Sequence, residues 1–343
     1  MPYHCAQDDT PPFWWGRGID AAGAKRTVWM GDEHLFSYGD EYVHNPPRHA
    51  GEHLAKTLAG LFSGNIGYEN DCFYFTPATL AALQKGLPQS QFIVADGIVN
   101  WRRAIKSENE LMLMRKAARL VENMHRCAFE IADVGVPKNI IAAEINRIAV
   151  AGDEGLWGDY AAMVPMLPAG KDAACPHLTW DDKPLAENEG VFFELAGCYR
   201  RYHCPLARTV YLGEPPKKWR RAEAALQEVL QDGLHAAHPG AICGDVARAA
   251  NAALARHGFE KSGRCGYSIG LGYPPDWGEK TMSFRPEDET EIKPGMTFHF
   301  MPGLWLEDWG IEITESIEIS EIGANALADW PRKLLVKNRT KAV

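Results

Sequence analysis

The segment that decides the fold covers residues 191–212 and reads VFFELAGCYRRYHCPLARTVYL. It contains two apolar runs, residues 191–196 and residues 204–212, with a short polar stretch between them. Short runs rich in aliphatic and aromatic residues predict β-strands, and a short connection between two such runs predicts an antiparallel hairpin. We therefore expect two adjacent strands in the middle of the chain.

Helical patterns lie on both sides of this hairpin. Ser107, followed three residues later by Glu110, predicts a capping box at the start of a long helix that ends before Gly135. Apolar residues at helical spacing and flanking prolines or glycines predict three further helices. These are expected over residues 138–150, 217–238 and 244–257.

The order of elements predicts the architecture. Strands are also expected over residues 296–301 and 311–319, so the succession of two helices and paired strands occurs over 107–212 and again over 217–319. This repetition predicts an α+β fold of two similar halves, with helices packed on one face of a curved sheet and a site at their junction.

The first part of the chain has a different texture. The stretches KRTVWM (residues 25–30) and QFIVAD (residues 91–96) are typical of strands between helices. They predict a small α/β domain over residues 1–104, which precedes the larger domain over residues 105–343.

Composition excludes several classes of protein. The 36 basic and 45 acidic residues give a net charge of −9, and the basic stripe typical of a nucleic-acid-binding protein is missing. No stretch approaches the roughly 20 apolar residues of a membrane span, and the N-terminus lacks the pattern of a signal peptide. The eight cysteines contain no CxxC pair, which favours reduced thiols over a zinc site or a disulfide framework. We expect a cytoplasmic protein that acts on small molecules.

Two glutamates stand out as candidates for chemistry. Glu194 lies within an apolar strand, where a carboxylate must be paired, protonated or functional. In the strand over 311–319, isoleucines alternate with polar residues, so Glu312 and Thr314 share one face. That face is either the concave wall of a site or an ordinary solvated surface.

Other candidates are weaker when each is taken alone. His299 and Met301 share one face of their strand, and His177 lies in a predicted loop. The segment 266–278 is predicted as a glycine-rich loop. This segment and residues 303–310 are rich in glycine and aromatic residues, a composition typical of a pocket wall, although core packing is the default explanation for any single tryptophan.

A family resemblance brings these observations together. It is carried by FFELAGCYRRYHCPLARTVYLG (192–213), AACPHLTWDD (173–182), GYSIGLGYPPDWGE (266–279) and PGMTFHFMPGLWLEDWGIEITESI (294–317), and extends to GRGIDAAGAKRT (16–27) and VNWRRAIKSENE (99–110). The chain resembles the pita-bread superfamily of creatinase, proline dipeptidases and methionine aminopeptidase, and within it the bacterial ectoine hydrolases. The resemblance implies a pita-bread catalytic domain over residues 105–343, a homodimer, and an N-terminal domain that is shorter than in relatives.

The resemblance also bears on metal binding. Metal-dependent members hold two ions with two aspartates, a histidine and two glutamates. The matching positions here are Glu194, Pro205, Tyr267, Met301 and Thr314. Four of these five cannot supply the expected ligand, so the resemblance implies a cavity without metal and an enzyme without a cofactor.

The implied activity is hydrolytic opening of the cyclic amidine ring of ectoine, or of 5-hydroxyectoine, to an N-acetyl-diaminobutyrate, in the catabolism of compatible solutes. Glu194 would act as nucleophile or general base and His177 as proton donor, with Glu312 as the next catalytic candidate. The residues expected to bind substrate are Tyr267, Trp305, Met301, His299, Thr314 and Arg17, the last for the substrate carboxylate. A downstream deacetylase is a possible partner.

Two alternatives stay open. One is a creatinase-like amidinohydrolase acting on another C–N substrate, although Ala207 replaces a substrate-binding glutamate of creatinase and so argues against creatine. The other is a ligand-binding protein that kept the pocket and lost catalysis.

Overall fold

The computed structural model describes residues 12–61 and 64–338. Contacts divide the chain into two compact units between Ile98 and Val99. None of the helices in the described ranges combines the length and the apolar character needed to cross a bilayer.

The first unit pairs short parallel strands with helices. Strand β1 (Trp14–Arg17) pairs with β2 (Leu35–Tyr38), and β3 (Ile66–Tyr68) pairs with β4 (Phe92–Val94). The helices are α1 (Ala21–Thr27), α2 (Ala50–Leu61) and α3 (Pro77–Gly86). The strand expected in QFIVAD is present as β4. The strand expected in KRTVWM is wrong, because its first three residues close helix α1.

The second unit contains the predicted helices. They are α5 (Glu108–Ile131), α6 (Lys138–Ala151), α7 (Lys217–Ala236) and α8 (Cys243–Arg256). The short helix α4 (Ile98–Arg102), which the sequence did not predict, begins at the last residue of the first unit. Helix α5 begins at the predicted capping box: the Ser107 hydroxyl accepts from the Glu110 amide, and the Glu110 carboxylate accepts from the Ser107 amide at 2.7 Å. Satisfying these amides fixes where α5 begins.

One eight-stranded sheet forms the centre of this unit. Its path is β13–β12–β9–β7–β6–β14, with β5 paired to β6 and β8 to β7. The strands are β5 (Glu189–Tyr199), β6 (Tyr202–Leu212), β7 (Gly266–Tyr273), β8 (Asp276–Ser283), β9 (Thr297–Phe300), β12 (Glu315–Ser320), β13 (Gly323–Ala326) and β14 (Leu335–Lys337). A separate antiparallel pair is formed by β10 (Gly303–Trp305) and β11 (Gly310–Glu312).

The central hairpin is confirmed as the antiparallel pair β5–β6. Two details differ from expectation. The single strand expected over 311–319 is split into β11 and β12, and the glycine-rich segment 266–278, expected as a pocket-wall loop, forms β7 and the turn into β8. Glycine is needed within that hairpin, because a Cβ at Gly270 would come within 2.3 Å of the Glu279 carboxylate.

Helices cover one face of the sheet in two places. Helices α5 and α6 share one apolar core with the odd-numbered residues of β5, such as Phe193 and Leu195. Helices α7 and α8 share a second core with β9, β11 and β12, which includes all four alternating isoleucines: Ile311, Ile313, Ile317 and Ile319. Because the apolar side chains point to the helices, the even-numbered polar side chains point to the opposite face.

No disulfide joins the cysteines that the structure describes. The seven within the described residues are free thiols, and four of them are buried. Cys5 lies outside the described residues.

Candidate active site

The pairing of the strands places the polar residues predicted for the site on one face of the sheet. Tyr267 on β7 pairs with His299 on β9, which pairs in turn with Ser316 on β12. Directly opposed residues share a face, as do residues two positions apart on one strand. Thr314 and Glu312 therefore lie on the same side as Tyr267 and His299.

Glu194 joins this face from the other half of the unit. It is paired with Ala207, whose amide donates to the Thr314 hydroxyl at 2.7 Å. Glu194 and Glu312 expose only 7% and 2% of their surface, and Thr314 exposes 1%. The reading of this face as a solvated surface is therefore wrong: it is an interior wall.

The two glutamates form a pair with unequal proton affinity. Burial raises the pKa of Glu194 to about 7, with the positive charge of Lys261 opposing that rise. Burial raises the pKa of Glu312 well above its usual range, and the negative charge of Glu194 raises it further. Each carboxyl disfavours ionisation of the other, so the pair holds a proton near neutral pH, and Glu194 is the member that ionises first, as is typical of buried carboxyl pairs in active sites.

His299 is fixed in its neutral form beside this pair. Its Nδ1 lies 3.1 Å from the Tyr267 hydroxyl and its Nε2 lies 2.8 Å from the Thr314 hydroxyl. Trp277 completes the network by donating its indole N–H to the Tyr267 hydroxyl at 2.7 Å. Burial lowers the pKa of His299 to about 3, so its 4.0 Å approach to the Glu194 carboxylate is not an ion pair at neutral pH.

These residues do not fit a pair of divalent metal ions. Both nitrogens of His299 are already engaged, and Tyr267 and Thr314, at two of the ligand positions, belong to the same network. Across the described ranges, no group of three or more His, Cys, Asp or Glu side chains is placed to hold a metal ion. Among the described residues of this network, the two glutamates alone offer anionic oxygens, which is too few for a dinuclear site of hard cations.

Sequence reasoning missed two cations near this face. Lys261 donates from Nζ to the Met301 carbonyl at 2.9 Å and lies 4.5 Å above the Trp305 ring. Arg264 stacks its guanidinium 4.2 Å above the Tyr267 ring. Both lie in the connection between α8 and β7, where no periodicity predicts which way a side chain points. The only signal in the sequence was two basic residues just ahead of the glycine-rich segment.

Trp305 and Met301 line the site, although in ways the sequence did not specify. Trp305 donates its indole N–H to Glu312 Oε1 at 2.7 Å, and Met301 contributes the carbonyl that holds Lys261. The side chain of Met301 packs against the small apolar cluster that contains Tyr267 and Trp277.

Two predicted residues, His177 and Arg17, are not part of this hydrogen-bond network as the structure describes it. His177 is exposed in a turn that follows a short 3-10 helix (Gly170–Ala174), and no hydrogen bond or ion pair joins it to Glu194 within the part of the chain that the structure describes. Arg17 lies in the first unit, where its guanidinium pairs with Asp40. Their roles in the site stay predictions.

Comparison with known proteins agrees with this fold. The profile of metallopeptidase family M24 matches residues 112–321, more than half of the chain. The ectoine hydrolase of Halomonas elongata is 52% identical over 335 residues, which cover 95% of this chain and 84% of that protein. An uncharacterised hydrolase/peptidase of Sinorhizobium fredii is 40% identical over 97% of this chain and 85% of its own length.

Solved structures show the same architecture at lower identity. A prolidase from Thermococcus sibiricus superposes with a TM-score of 0.81 at 16% identity, covering 94% of this chain and 84% of its own. An Xaa-Pro dipeptidase from Bacillus anthracis superposes with a TM-score of 0.80 at 18% identity, covering 95% and 86%. The predicted α+β pita-bread fold is thereby confirmed, and the chain belongs to metallopeptidase family M24.

Proposed function

We propose that this protein hydrolyses ectoine, opening its cyclic amidine ring to an N-acetyl-diaminobutyrate. The observation that carries the proposal is the 52% identity to an ectoine hydrolase over nearly the whole chain. It is supported by a buried carboxyl pair, Glu194 and Glu312, in which one member ionises near neutral pH.

The chemistry of the substrate suits these groups. An amidinium carbon is electrophilic without a Lewis acid, so a carboxylate can attack it directly or can deprotonate a water molecule that does. Glu194 has the charge and the location for either step, and its negative charge attracts the delocalised cation. Addition of water to this carbon and cleavage of one ring C–N bond gives the amide, while the departing nitrogen takes up a proton.

Two side chains are candidates for delivering that proton. His177 is the donor implied by the family resemblance. Glu312 is the donor favoured by position, because its buried carboxyl keeps a proton beside Glu194. We assign the remaining predicted residues, Tyr267 and His299 above all, to the wall against which the flat ring lies.

We further propose that the reaction needs no metal ion. Support comes from the ligand positions, where Pro205, Met301 and Thr314 stand in place of acidic side chains, and from the engaged nitrogens of His299. A metal-dependent proline dipeptidase is therefore a poor alternative. A creatinase-like amidinohydrolase shares the carboxylate chemistry and differs only in substrate.

The deciding assay follows ring opening by the purified protein. Ectoine, 5-hydroxyectoine, creatine and a prolyl dipeptide are each incubated with the protein before and after exhaustive treatment with EDTA, and products are identified by mass and NMR. We expect one water to be added to ectoine at an unchanged rate after EDTA. Turnover that disappears with EDTA and returns with added metal would overturn the metal-free mechanism, and binding of ectoine without turnover would favour the non-catalytic alternative.

Assembly and context are also proposals. We propose a cytoplasmic homodimer that acts ahead of a deacetylase, since the product carries an N-acetyl group. Light scattering under assay conditions tests the first part: we expect twice the chain mass of 38.1 kDa. A stable monomer with full activity would reject the dimer.

A further inference from the structure

Lys261 has unused hydrogen-bond donors near the polar face of the sheet. Its Nζ carries three N–H groups, and the structure uses one of them, in the 2.9 Å hydrogen bond to the Met301 carbonyl. The Trp305 ring lies beneath it at 4.5 Å, which favours the cationic form. Within residues 12–61 and 64–338, no carboxylate approaches Nζ within the 4.0 Å of an ion pair.

Lys261 is a cation that influences both buried glutamates without forming an ion pair with either of them. Its charge acts on both Glu194 and Glu312, although it bonds to neither. Trp305 links the three groups, since its ring lies under Lys261 while its indole N–H binds Glu312. A small molecule with one negative and one positive group would complement a cation and an anion that act on each other without forming an ion pair.

Ectoine carries the complementary pair of charges on one small ring. Its amidinium suits Glu194, and its carboxylate needs a donor that is not already paired. We propose that Lys261 binds the carboxylate of the substrate, and this inference rests on the proposed function. Lys261 would then fix the orientation of the ring and select cyclic amidines that bear a carboxylate.

Other cations serve this role less well. Arg17, the donor suggested by sequence, is paired with Asp40. Arg264 lies over Tyr267, and its charge acts on Tyr267 and His299 rather than on the two glutamates. Of these three cations, Lys261 is therefore the one whose charge acts on both glutamates.

The test compares two substrates in two proteins. The parent and Lys261→Met are assayed with ectoine and with 2-methyl-1,4,5,6-tetrahydropyrimidine, which is the same cyclic amidine without the carboxylate. The analogue is measured both as a substrate and as a competitive inhibitor, so each protein yields a value for it in either case. Lys261→Arg keeps the charge, and Lys218→Met removes an exposed lysine that also stacks on a tryptophan, Trp309.

We expect Lys261→Met to lose on the order of 30-fold or more in kcat/KM for ectoine, mainly through KM, because a charged partner is left unpaired. The constants for the analogue should change by less than about 3-fold, within the scatter expected of a side chain that makes no contact with it. Lys261→Arg should recover most of the loss, and Lys218→Met should match the parent.

Three outcomes overturn parts of the argument in distinguishable ways. Equal losses with ectoine and with the analogue would mean that Lys261 acts through Glu194 and Glu312, and would reject carboxylate binding. An unchanged KM for ectoine would reject it as well. A parent protein that neither binds nor opens ectoine would reject the proposed function itself. If Lys261→Met does not fold by circular dichroism, Lys261→Gln replaces it in the same comparison.

Discussion

Trp305 donates its indole N–H to the Glu312 carboxyl at 2.7 Å, and the partner of this buried carboxyl is thus a neutral group. A cation at that position would hold Glu312 ionised. A single neutral donor does not offset burial and the nearby charge of Glu194, so the pKa of Glu312 stays well above its usual range. The two glutamates are chemically alike, and their surroundings give them different protonation states.

The ionised member of the pair should be indispensable. Glu194→Gln keeps the size of the side chain but can neither attack the amidine nor deprotonate water, so we expect kcat to fall by ~10²- to 10⁴-fold or more. Melting temperature and circular dichroism should show a folded protein. Glu318→Gln is the matched control, since Glu318 lies on β12 and pairs with the exposed Arg115. Turnover within a few-fold of the parent would place the catalytic centre elsewhere.

The source of the proton can be decided by a second comparison. His177 is exposed, so water can replace it, and we expect His177→Ala to keep activity within about 10-fold of the parent. Glu312 is buried where water has less access, so Glu312→Gln should lose ~10²-fold or more in kcat. Both variants are assayed for kcat and KM with ectoine. The reverse order of losses would restore His177 as the donor.

The pH dependence of kcat/KM should report the groups of the free enzyme. Glu194 must lose its proton to act, so activity should rise with pH through about 7, the raised pKa of this carboxyl. Lys261 must keep its proton to bind a carboxylate, so activity should fall above about 8, to which burial lowers its pKa. Lys261→Arg should move the alkaline limb to higher pH, because a guanidinium stays charged. An acid limb near pH 4 would show that Glu194 is not the group that titrates.

Sequence alone reached the parts of the site that obey strand periodicity. The alternation of apolar and polar residues predicted that Glu312 and Thr314 share one face, and the apolar neighbours of Glu194 predicted a buried carboxylate. The alternation of apolar and polar residues could not predict whether that face is exposed to solvent or buried. That depends on how β11 and β12 sit beside β6, which is a matter of tertiary packing.

The residues that the sequence analysis missed lie in a connection where no periodic pattern predicts the direction of a side chain. Lys261 is 67 residues from Glu194 along the chain and lies in a connection without periodicity, so only the sheet topology brings the two together. The prediction of a loop over residues 266–278 was wrong for a related reason. Glycines are typical of loops, but Gly270 lies in strand β7, where the missing side chain leaves space for the carboxylate of Glu279. Tertiary contacts overrode the local preference.

Burying two carboxyl groups should also make stability depend on pH. The pKa of Glu194 is higher in the folded protein than in the unfolded chain, so the folded state binds more protons between pH 4.5 and about 7. Stability is therefore fully present below the lower value and is lost as pH rises toward the higher one. Glu194 alone should cost about 3 kcal/mol at pH 8, and Glu312 adds to this. A Glu194→Gln/Glu312→Gln double variant removes both titrations, so its free energy of unfolding in urea should gain on the parent by about 3 kcal/mol or more between pH 4.5 and pH 8. Groups common to both proteins cancel in this difference, and Glu318→Gln, which changes a carboxyl paired with Arg115, is the control. An equal difference between variant and parent at the two pH values would show that the pair is not held with raised pKa values, and the division of roles between Glu194 and Glu312 would lose its physical basis.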